Sequence, residues 1–384
     1  VMIAIDVDED LALAEEYSEK SVRLKIEAGY EKECISTINN FCLYYLRLGE
    51  IQKAQKSSDQ LSNLVNKYFP STDHHHSMVL FILGRIYQNK GDLNQALDYF
   101  NQALGISKLD LSIPSNLTIT AEYYYSISQI FYHQNEYEKS LKYSIKALVI
   151  QETQSNTLYL SRTLFQLILI TLKMNRLPQA NSYLAKLDTL IEKSDPFLGK
   201  TISAYHGISK AFILLKDERT HSRAEAQKLF EKLIQNYKSE YQIVILAHLN
   251  LCELLIEELK QYGNPSILEE IEELLGKILE ISEQTGSHAL VGEILLLHAQ
   301  IEFFQLKLQE TNTLIEKALN LATEKGLTRL ETRVLEVQSK IQNEVKASVQ
   351  VAKQAPELLE KLEKSQLNEY IEDMKKMVEL MRTS

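Results

Sequence analysis

The sequence predicts an all-α protein, a right-handed solenoid of antiparallel helix pairs, and three observations support this fold class. Small and large apolar residues recur at helical spacing along most of the chain. The same order of residues returns every 40 to 44 residues, as expected of an internal repeat. No stretch shows the strict apolar and polar alternation of a half-buried strand.

The clearest unit runs from Met78 to Lys108. Gly91 separates two helical halves, so the unit reads as two helices joined by a tight turn. Gly84 and Ala96 are small where the two backbones must approach closely, and Phe100 fills the space beside them. The other apolar positions of the unit are Leu80, Leu83, Tyr87, Leu93, Ala103 and Leu104.

Further copies of this pattern lie on both sides of the clear unit. Four equivalent apolar residues just after the turns are 42, 44 and 40 residues apart: Ile51, Leu93, Tyr137 and Leu177. Asn135 and Asn175 occupy the turns of the third and fourth copies. Two degraded copies cover residues 211–233 and 247–282, and residues 299–319 repeat the pattern again. The repeats therefore predict about seven helical pairs.

This arrangement resembles the tetratricopeptide repeat (TPR). Its period exceeds the usual length of about 34 residues. Longer repeats of this kind are similar to those of kinesin light chains and to the sensor domains of certain bacterial regulators. The resemblance implies a superhelix that binds a protein or peptide partner along the first helices of its pairs, without catalysis.

The repeats divide the chain into three predicted segments. Residues 1–30 form a partial N-terminal repeat or a capping helix, because residues 11–28 resemble a second helix without its first. Either a non-standard start codon was translated literally, or the chain is part of a longer protein. Residues 31–325 form the TPR-like solenoid, and residues 326–384 form C-terminal helices that cap it. One of these helices is predicted to start at Pro356. Instead of capping the solenoid, it could serve in self-association or in docking to a partner.

Composition narrows the classes of partner. The chain carries 42 basic and 52 acidic residues, a formal charge of −10, which argues against nucleic acid as the main ligand. No apolar run approaches membrane-spanning length, so no membrane partner is predicted. Cys34, Cys42 and Cys252 form an odd set without metal-like spacing, which predicts free thiols in a reducing compartment, the cytoplasm.

Inward positions on the first helices give the candidate binding residues. Amide and guanidinium groups can hold a peptide backbone and acidic side chains, and aromatic rings can hold apolar ones. A merely solvated face would carry the same residue types, and Asn40 could instead satisfy a neighbouring helix end. The candidates are Asn39, Asn40, Arg47, Phe81, Arg85, Gln88, Asn89, Tyr125, Gln129, Tyr132, His133, Arg162, Phe165 and Lys173.

The run from Asp73 to His76 has the residue types of a metal site. Consecutive histidines in an extended loop do not easily converge on one ion, however. Asp73 or Ser77 is better explained as a cap for the helix that follows. We therefore predict no metal and no cofactor.

No catalytic motif is present. The sequence lacks a glycine-rich phosphate loop, a His-Glu-x-x-His motif, a paired cysteine motif and a nucleophile elbow. The predicted function is a non-catalytic protein interaction scaffold that binds a peptide or partner helix in the concave groove. The alternative is a ligand- or peptide-sensing domain of a signalling or transcriptional regulator.

Overall fold

The computed structural model describes residues 11–354, apart from short gaps at 49, 72, 108–113, 155–156, 195, 218, 238–240, 286 and 326. The described residues form sixteen helices and no strand, which confirms the all-α prediction. The predicted helix starting at Pro356 lies outside the described residues.

A single helix, α1 (Leu11–Glu27), precedes seven consecutive helix pairs. In chain order, the first four pairs are α2 (Cys34–Leu48) with α3 (Ile51–Tyr68), α4 (His74–Lys90) with α5 (Leu93–Ser107), α6 (Pro114–His133) with α7 (Tyr137–Gln154), and α8 (Thr157–Lys173) with α9 (Leu177–Lys193). The last three pairs are α10 (Pro196–Leu214) with α11 (Thr220–Asn236), α12 (Tyr241–Tyr262) with α13 (Pro265–Thr285), and α14 (His288–Phe304) with α15 (Leu308–Glu324). The last described helix is α16 (Thr328–Gln354).

Packing divides the chain into two compact units. Unit 1 comprises residues 1–254 and 280–287, and unit 2 comprises residues 255–279 and 288–384. The candidate site described below lies within unit 1. The predicted segment boundaries at residues 30 and 325 stay predictions.

In unit 1 the first helices of successive pairs are neighbours. Helices α2, α4, α6, α8 and α10 each contact the next one in this series. The second helices α3, α5, α7 and α9 each contact their own first helix and the first helix of the following pair. Side chains on one first helix therefore meet side chains that are about one repeat away in sequence.

The close approach between α4 and α5 depends on Gly84. A Cβ atom at this position would lie 2.5 Å from Cε1 of Phe100, whose side chain is fully buried. Ala96 on the facing helix is also fully buried. The predicted roles of Gly84 and Phe100 are thus confirmed, and the burial of Ala96 agrees with its predicted position between the helices.

The equivalent approach between α6 and α7 uses serines. The Oγ atom of Ser128 lies 3.0 Å from Oγ of Ser140 and 2.6 Å from Oγ of Ser144. Ser128 also donates to the backbone carbonyl of Ser140, and Ser140 donates to the backbone carbonyl of Ser128. Since every hydroxyl has a partner, these small polar residues can be buried at the contact without an unmatched group.

Each predicted turn residue in unit 1 adopts a left-handed backbone conformation. The φ angles are 89° at Gly91, 60° at Asn135 and 57° at Asn175. Glycine and asparagine tolerate this conformation better than other residues do. At each turn the residue's own N–H and the following N–H bond to carbonyls three and five positions earlier, which is the Schellman pattern that ends a helix.

In unit 2, α16 packs against both α14 and α15. A Cβ atom at Gly292 would collide with the side chain of Leu330, so a larger residue there would force that side chain to shift. Nη1 of Arg333 on α16 lies 2.7 Å from Oε2 of Glu293 on α14. Helix α16 thus lies within residues 326–384, the segment for which C-terminal helices are predicted.

Two other chemical features of the described residues bear on function. No helix among them is long and apolar enough to cross a membrane. Cys34, Cys42 and Cys252 are all buried, and none forms a disulfide.

Candidate functional site

A charged cluster lies between three neighbouring first helices of unit 1. We call it the arginine cluster and define it as Arg85 on α4, Glu122 and Tyr125 on α6, and Tyr159 and Arg162 on α8. Nη1 of Arg162 lies 3.2 Å from Oε2 of Glu122, and the two side chains are only 18% and 12% exposed. This ion pair is therefore largely withdrawn from solvent. Charge interactions are stronger in such an environment than in water.

The cluster holds two guanidinium groups and one carboxylate. Burial lowers the pKa of Arg85, and repulsion from Arg162 lowers it further. Burial also opposes the charge on Arg162, but attraction to Glu122 and the surrounding tyrosines outweighs it and raises the pKa of Arg162 well above its ordinary value. Glu122 thus forms its ion pair with Arg162, and the cluster keeps one positive charge in excess, on Arg85.

The guanidinium of Arg85 has an unused hydrogen-bond donor. Its Nε atom is out of contact with solvent and has no acceptor among the described residues. A buried donor without a partner is unfavourable by about 1–3 kcal/mol. A group of this kind in a folded protein calls for an explanation, such as a bound water or ion or a role in the protein's function.

Aromatic rings enclose the second guanidinium. The Cζ atom of Arg162 lies 4.7 Å from the ring centroid of Tyr125 and 5.6 Å from that of Tyr159. These separations allow cation–π attraction. Burial raises the pKa of Tyr159, and the nearby Glu122 carboxylate raises it further, so the Tyr159 ring stays neutral beside the guanidinium.

A row of amide groups continues from the arginine cluster. Nε2 of Gln88 on α4 donates to Oε1 of Gln129 on α6 at 3.1 Å, and Nε2 of Gln129 donates to the Tyr125 hydroxyl at 2.9 Å. Oε1 of Gln88 is out of contact with solvent and receives no hydrogen bond from the described residues. The row therefore ends in an unused acceptor on the helix that also carries the unused donor of Arg85.

The pairs in this region join residues about one repeat apart. Glu122 and Arg162 are 40 residues apart, and Gln88 and Gln129 are 41 residues apart. These separations match the 40 to 44 residue period of the sequence. Five of the predicted site residues are thereby brought together, namely Arg85, Gln88, Tyr125, Gln129 and Arg162.

Four other candidates lie elsewhere on the first helices. Asn39 is buried in α2, Asn40 is exposed on the same helix, and Lys173 is exposed at the end of α8. The side chain of Arg47 lies outside the described part of the structure. Their role in binding stays a prediction.

Two aromatic candidates make core contacts. The ring centroid of Phe81 lies 5.0 Å from that of Tyr123 and 5.7 Å from that of Phe100. The ring of Phe165, which is buried, lies 5.8 Å from that of Tyr205. Both residues thus pack first helices onto their neighbours.

The remaining candidates are close to helix ends. Tyr132 is buried, and its ring lies 5.8 Å from Tyr137 and 5.7 Å from the half-buried His133. Nδ2 of Asn89 donates to the backbone carbonyl of Arg85 at 2.9 Å. Whether these three residues contact a ligand stays a prediction.

Sequence reasoning missed Glu122 and Tyr159. Glu122 lies three residues before Tyr125 on α6, and Tyr159 lies three residues before Arg162 on α8. Residues three apart share a helix face. Extending the inward face by one turn toward the N-terminus of each helix would have found both.

The predicted loop position of the histidine run was wrong. The helix α4 begins at His74, because Oδ1 of Asp73 accepts the backbone N–H of His75 at 3.0 Å and caps the helix. The predicted capping role of Asp73 is thus confirmed.

The same capping geometry gathers three potential metal ligands. Ligand atoms of Asp73, His74 and His75 all lie within 4.8 Å of one another. Oδ1 of Asp73 lies 2.6 Å from Nδ1 of His75, whose ring stacks on Phe69 at 3.9 Å. His76 is directed elsewhere, with its Nε2 atom 3.1 Å from the Phe69 carbonyl. These contacts account for the group as a helix start.

Comparisons with known proteins agree with this architecture. A search of the curated proteins finds no significant match. Among solved structures, the chain is similar to a Rap protein complexed with competence and sporulation factor, with 12% identity, a TM-score of 0.50, and coverage of 81% of this chain and 99% of that chain. At this identity the likeness shows the fold.

Two further structures are similar at lower scores. The apo form of RapI has 14% identity and a TM-score of 0.46, covering 80% of this chain and 99% of that chain. Aspartyl phosphate phosphatase F from Bacillus subtilis has 14% identity and a TM-score of 0.48, covering 78% of this chain and 73% of that chain.

The sequence also matches a family model. The model is described as the MalT-like TPR region, and it matches residues 14–333. This match spans the seven described helix pairs and confirms the resemblance to tetratricopeptide repeats. The chain belongs to the family of MalT-like TPR regions.

Proposed function

We propose that this chain is a non-catalytic scaffold that binds a peptide segment of a partner protein along α4, α6 and α8. The observation that carries the proposal is the unused donor of Arg85 and the unused acceptor of Gln88, both out of contact with solvent on the same helix. A peptide supplies both complements, because its backbone carries N–H donors and its carbonyl and carboxylate oxygens are acceptors.

The size of the region supports a peptide in preference to a small molecule. Packed helices lie roughly 8–10 Å apart, so three neighbouring first helices span about 20 Å. An extended chain covers about 3.3 Å per residue, so about six residues would cross them. The amide and guanidinium groups can pair with the backbone and acidic groups of such a segment, and the aromatic rings can hold its apolar side chains.

Other observations support the setting of this function. The similar Rap protein was solved in a complex with competence and sporulation factor, and we extend ligand binding by such a solenoid to this chain. The three cysteines are buried and none forms a disulfide, which supports a reducing compartment, and we place the protein in the cytoplasm. The formal charge of −10 supports a protein partner in preference to nucleic acid.

Affinity capture from the native host tests the proposal. Captured proteins would be identified by mass spectrometry, and short overlapping peptides from them would be titrated by fluorescence anisotropy. We expect Arg85→Glu to weaken peptide binding at least tenfold. Arg176→Glu is the matched control, because Arg176 is an exposed arginine that pairs with Glu138 outside the arginine cluster. Equal binding by the wild-type chain and Arg85→Glu would contradict the proposal.

A sensing domain is the second candidate, and the ion pair between Glu122 and Arg162 favours it. This pair joins two consecutive repeats at the proposed site, so a ligand that contacts it would alter how the repeats stack. Hydrogen exchange with and without the captured peptide distinguishes the two functions. Protection confined to α4, α6 and α8 supports the scaffold, whereas changes in the second helices of distant pairs support sensing.

A further inference from the structure

We propose that the arginine cluster is a carboxylate subsite, which takes one carboxylate of the bound peptide against Arg85. This inference rests on the proposed function and deepens it by naming the chemistry that the peptide must carry. The carboxylate can come from an aspartate or glutamate side chain or from the peptide's C-terminus.

The distribution of charge supports the subsite. Two guanidinium groups and a single carboxylate share a region that is largely withdrawn from solvent. Both oxygens of Glu122 are engaged, because Oε2 lies 3.2 Å from Nη1 of Arg162 and Oε1 accepts from Nε2 of Gln151 at 3.5 Å. The cluster therefore has no second carboxylate to balance the positive charge of Arg85. A buried charge is stable only when it is paired, and a bound anion would pair it.

The geometry of the donor selects a carboxylate. A guanidinium offers parallel N–H groups that match the two oxygens of a carboxylate, and the unused Nε of Arg85 belongs to this fork. The excess of one positive charge matches a singly charged carboxylate. A doubly charged phosphate would leave an excess of negative charge beside Glu122.

The surroundings of Arg85 would strengthen the interaction and orient the peptide. The rings of Tyr125 and Tyr159 lie against the other guanidinium and exclude water from that side of the cluster. Oε1 of Gln88, one helical turn along from Arg85, can accept an N–H from a neighbouring peptide bond. The subsite would thus read both the charge and the adjacent backbone.

Four synthetic mixtures of random octapeptides provide the test. The first is amidated at the C-terminus and lacks aspartate and glutamate. The second has a free C-terminal carboxylate but lacks those residues, the third is amidated but contains them, and the fourth has both features. Each mixture is passed over the immobilised full chain, and retained peptides are quantified by mass spectrometry. We expect the wild-type chain to retain carboxylate-bearing peptides at least tenfold better than the first mixture.

Variants assign the preference to Arg85. Arg85→Gln is expected to remove the preference and to keep weak retention of neutral peptides, and Arg85→Lys is expected to restore part of it. Glu122→Gln is expected to increase the preference, because among the described residues Glu122 supplies the carboxylate that competes for the two guanidinium groups. A gain of binding cannot arise from misfolding, which keeps the test valid if Arg85→Gln is unstable. Arg176→Gln on the exposed surface is the matched control and is expected to behave as the wild type.

Each outcome bears on one of the two proposals. If the second and fourth mixtures are enriched and the third is not, the carboxylate is C-terminal. If the third and fourth are enriched and the second is not, it belongs to a side chain. Equal retention of all four mixtures by the wild-type chain would overturn the carboxylate subsite and leave peptide binding intact. Retention of none of them would overturn peptide binding itself. A carboxylate preference that survives in Arg85→Gln would also overturn the subsite.

Discussion

The thiol of Cys42 shows how strongly burial acts on a single residue. Cys42 is fully buried in α2, and burial raises the pKa of its thiol to about 12. In an unfolded chain a cysteine has a pKa of about 8.5. Between these two values the unfolded chain loses a proton that the folded chain keeps. The stability linked to this thiol is therefore fully present below about pH 8.5 and is lost progressively as the pH rises toward the folded pKa.

We expect the free energy of unfolding to fall as the pH is raised above about 8.5. The Cys42 thiol alone would contribute up to about 1.4 kcal/mol per pH unit. Urea titrations at several pH values would measure the slope in the wild-type chain and in Cys42→Ala. The slope should be shallower in the variant, whatever stability the smaller side chain removes. Identical slopes would contradict the raised pKa.

At this scale the sequence revealed packing residues better than binding residues. Gly84 and Phe100 could be predicted because a close helix contact requires a small residue against a large one. Glu122 could not be singled out, because an acidic residue on a helix is usually solvated. Its importance arises only from Arg162, which the repeat brings to it from 40 residues away.

Turns are the elements that show best how local chemistry sets the fold. Gly91, Asn135 and Asn175 end the first helices of three pairs in the left-handed conformation. Leu306 ends α14 with a φ angle of 66° and the same pair of backbone hydrogen bonds. A leucine is strained there by roughly 1–2 kcal/mol, because its Cβ atom crowds the following carbonyl.

We expect Leu306→Asn to stabilise the protein by about 0.5–1 kcal/mol, since asparagine tolerates this conformation better than leucine. The reciprocal variant Asn175→Leu should destabilise by a similar amount, because Asn175 is exposed and its replacement changes mainly the turn. Thermal unfolding followed by circular dichroism would measure both. A loss of stability in Leu306→Asn would mean that the leucine side chain contributes more through packing than it costs in the backbone.

Turns and helix ends could be predicted where the sequence has residues typical of them, and could not be predicted elsewhere. Glycine and asparagine marked three turns, whereas nothing in leucine marks a left-handed residue, so the turn at Leu306 was not foreseen. The start of α4 was placed too late, because three histidines do not resemble a helix start. The capping bond from His75 to Asp73 sets this boundary.

Within each compact unit, the contacts that hold the described residues together join neighbouring helices. In unit 2, α14, α15 and α16 pack on one another, and Leu330 of α16 is buried against the backbone of Gly292. In arrays of this kind each repeat depends chiefly on its immediate neighbours. The effect of a core substitution should therefore stay local.

We expect Leu330→Ala to remove about 2–5 kcal/mol of local stability by leaving a cavity beside Gly292. Native-state hydrogen exchange should show faster exchange in α14, α15 and α16, with unchanged protection in the helix pairs of unit 1. Leu335→Ala is the matched control, because Leu335 lies on the same helix and is 48% exposed. Faster exchange throughout the chain would show that the protein unfolds as one cooperative block.

The serine contact between α6 and α7 has a consequence for the direction in which α6 presents its side chains. A hydrogen bond weakens steeply when its angle departs from the preferred range, so the bonds between these serines resist a roll of α6 about its own axis. The hydrogen bonds among Ser128, Ser140 and Ser144 therefore hold α6 at one rotation about its own axis. Successive residues of a helix are about 100° apart around the axis. A modest roll would swing Glu122 away from Arg162, so the hydrogen bonds of these three serines help to keep this carboxylate aimed at Arg162.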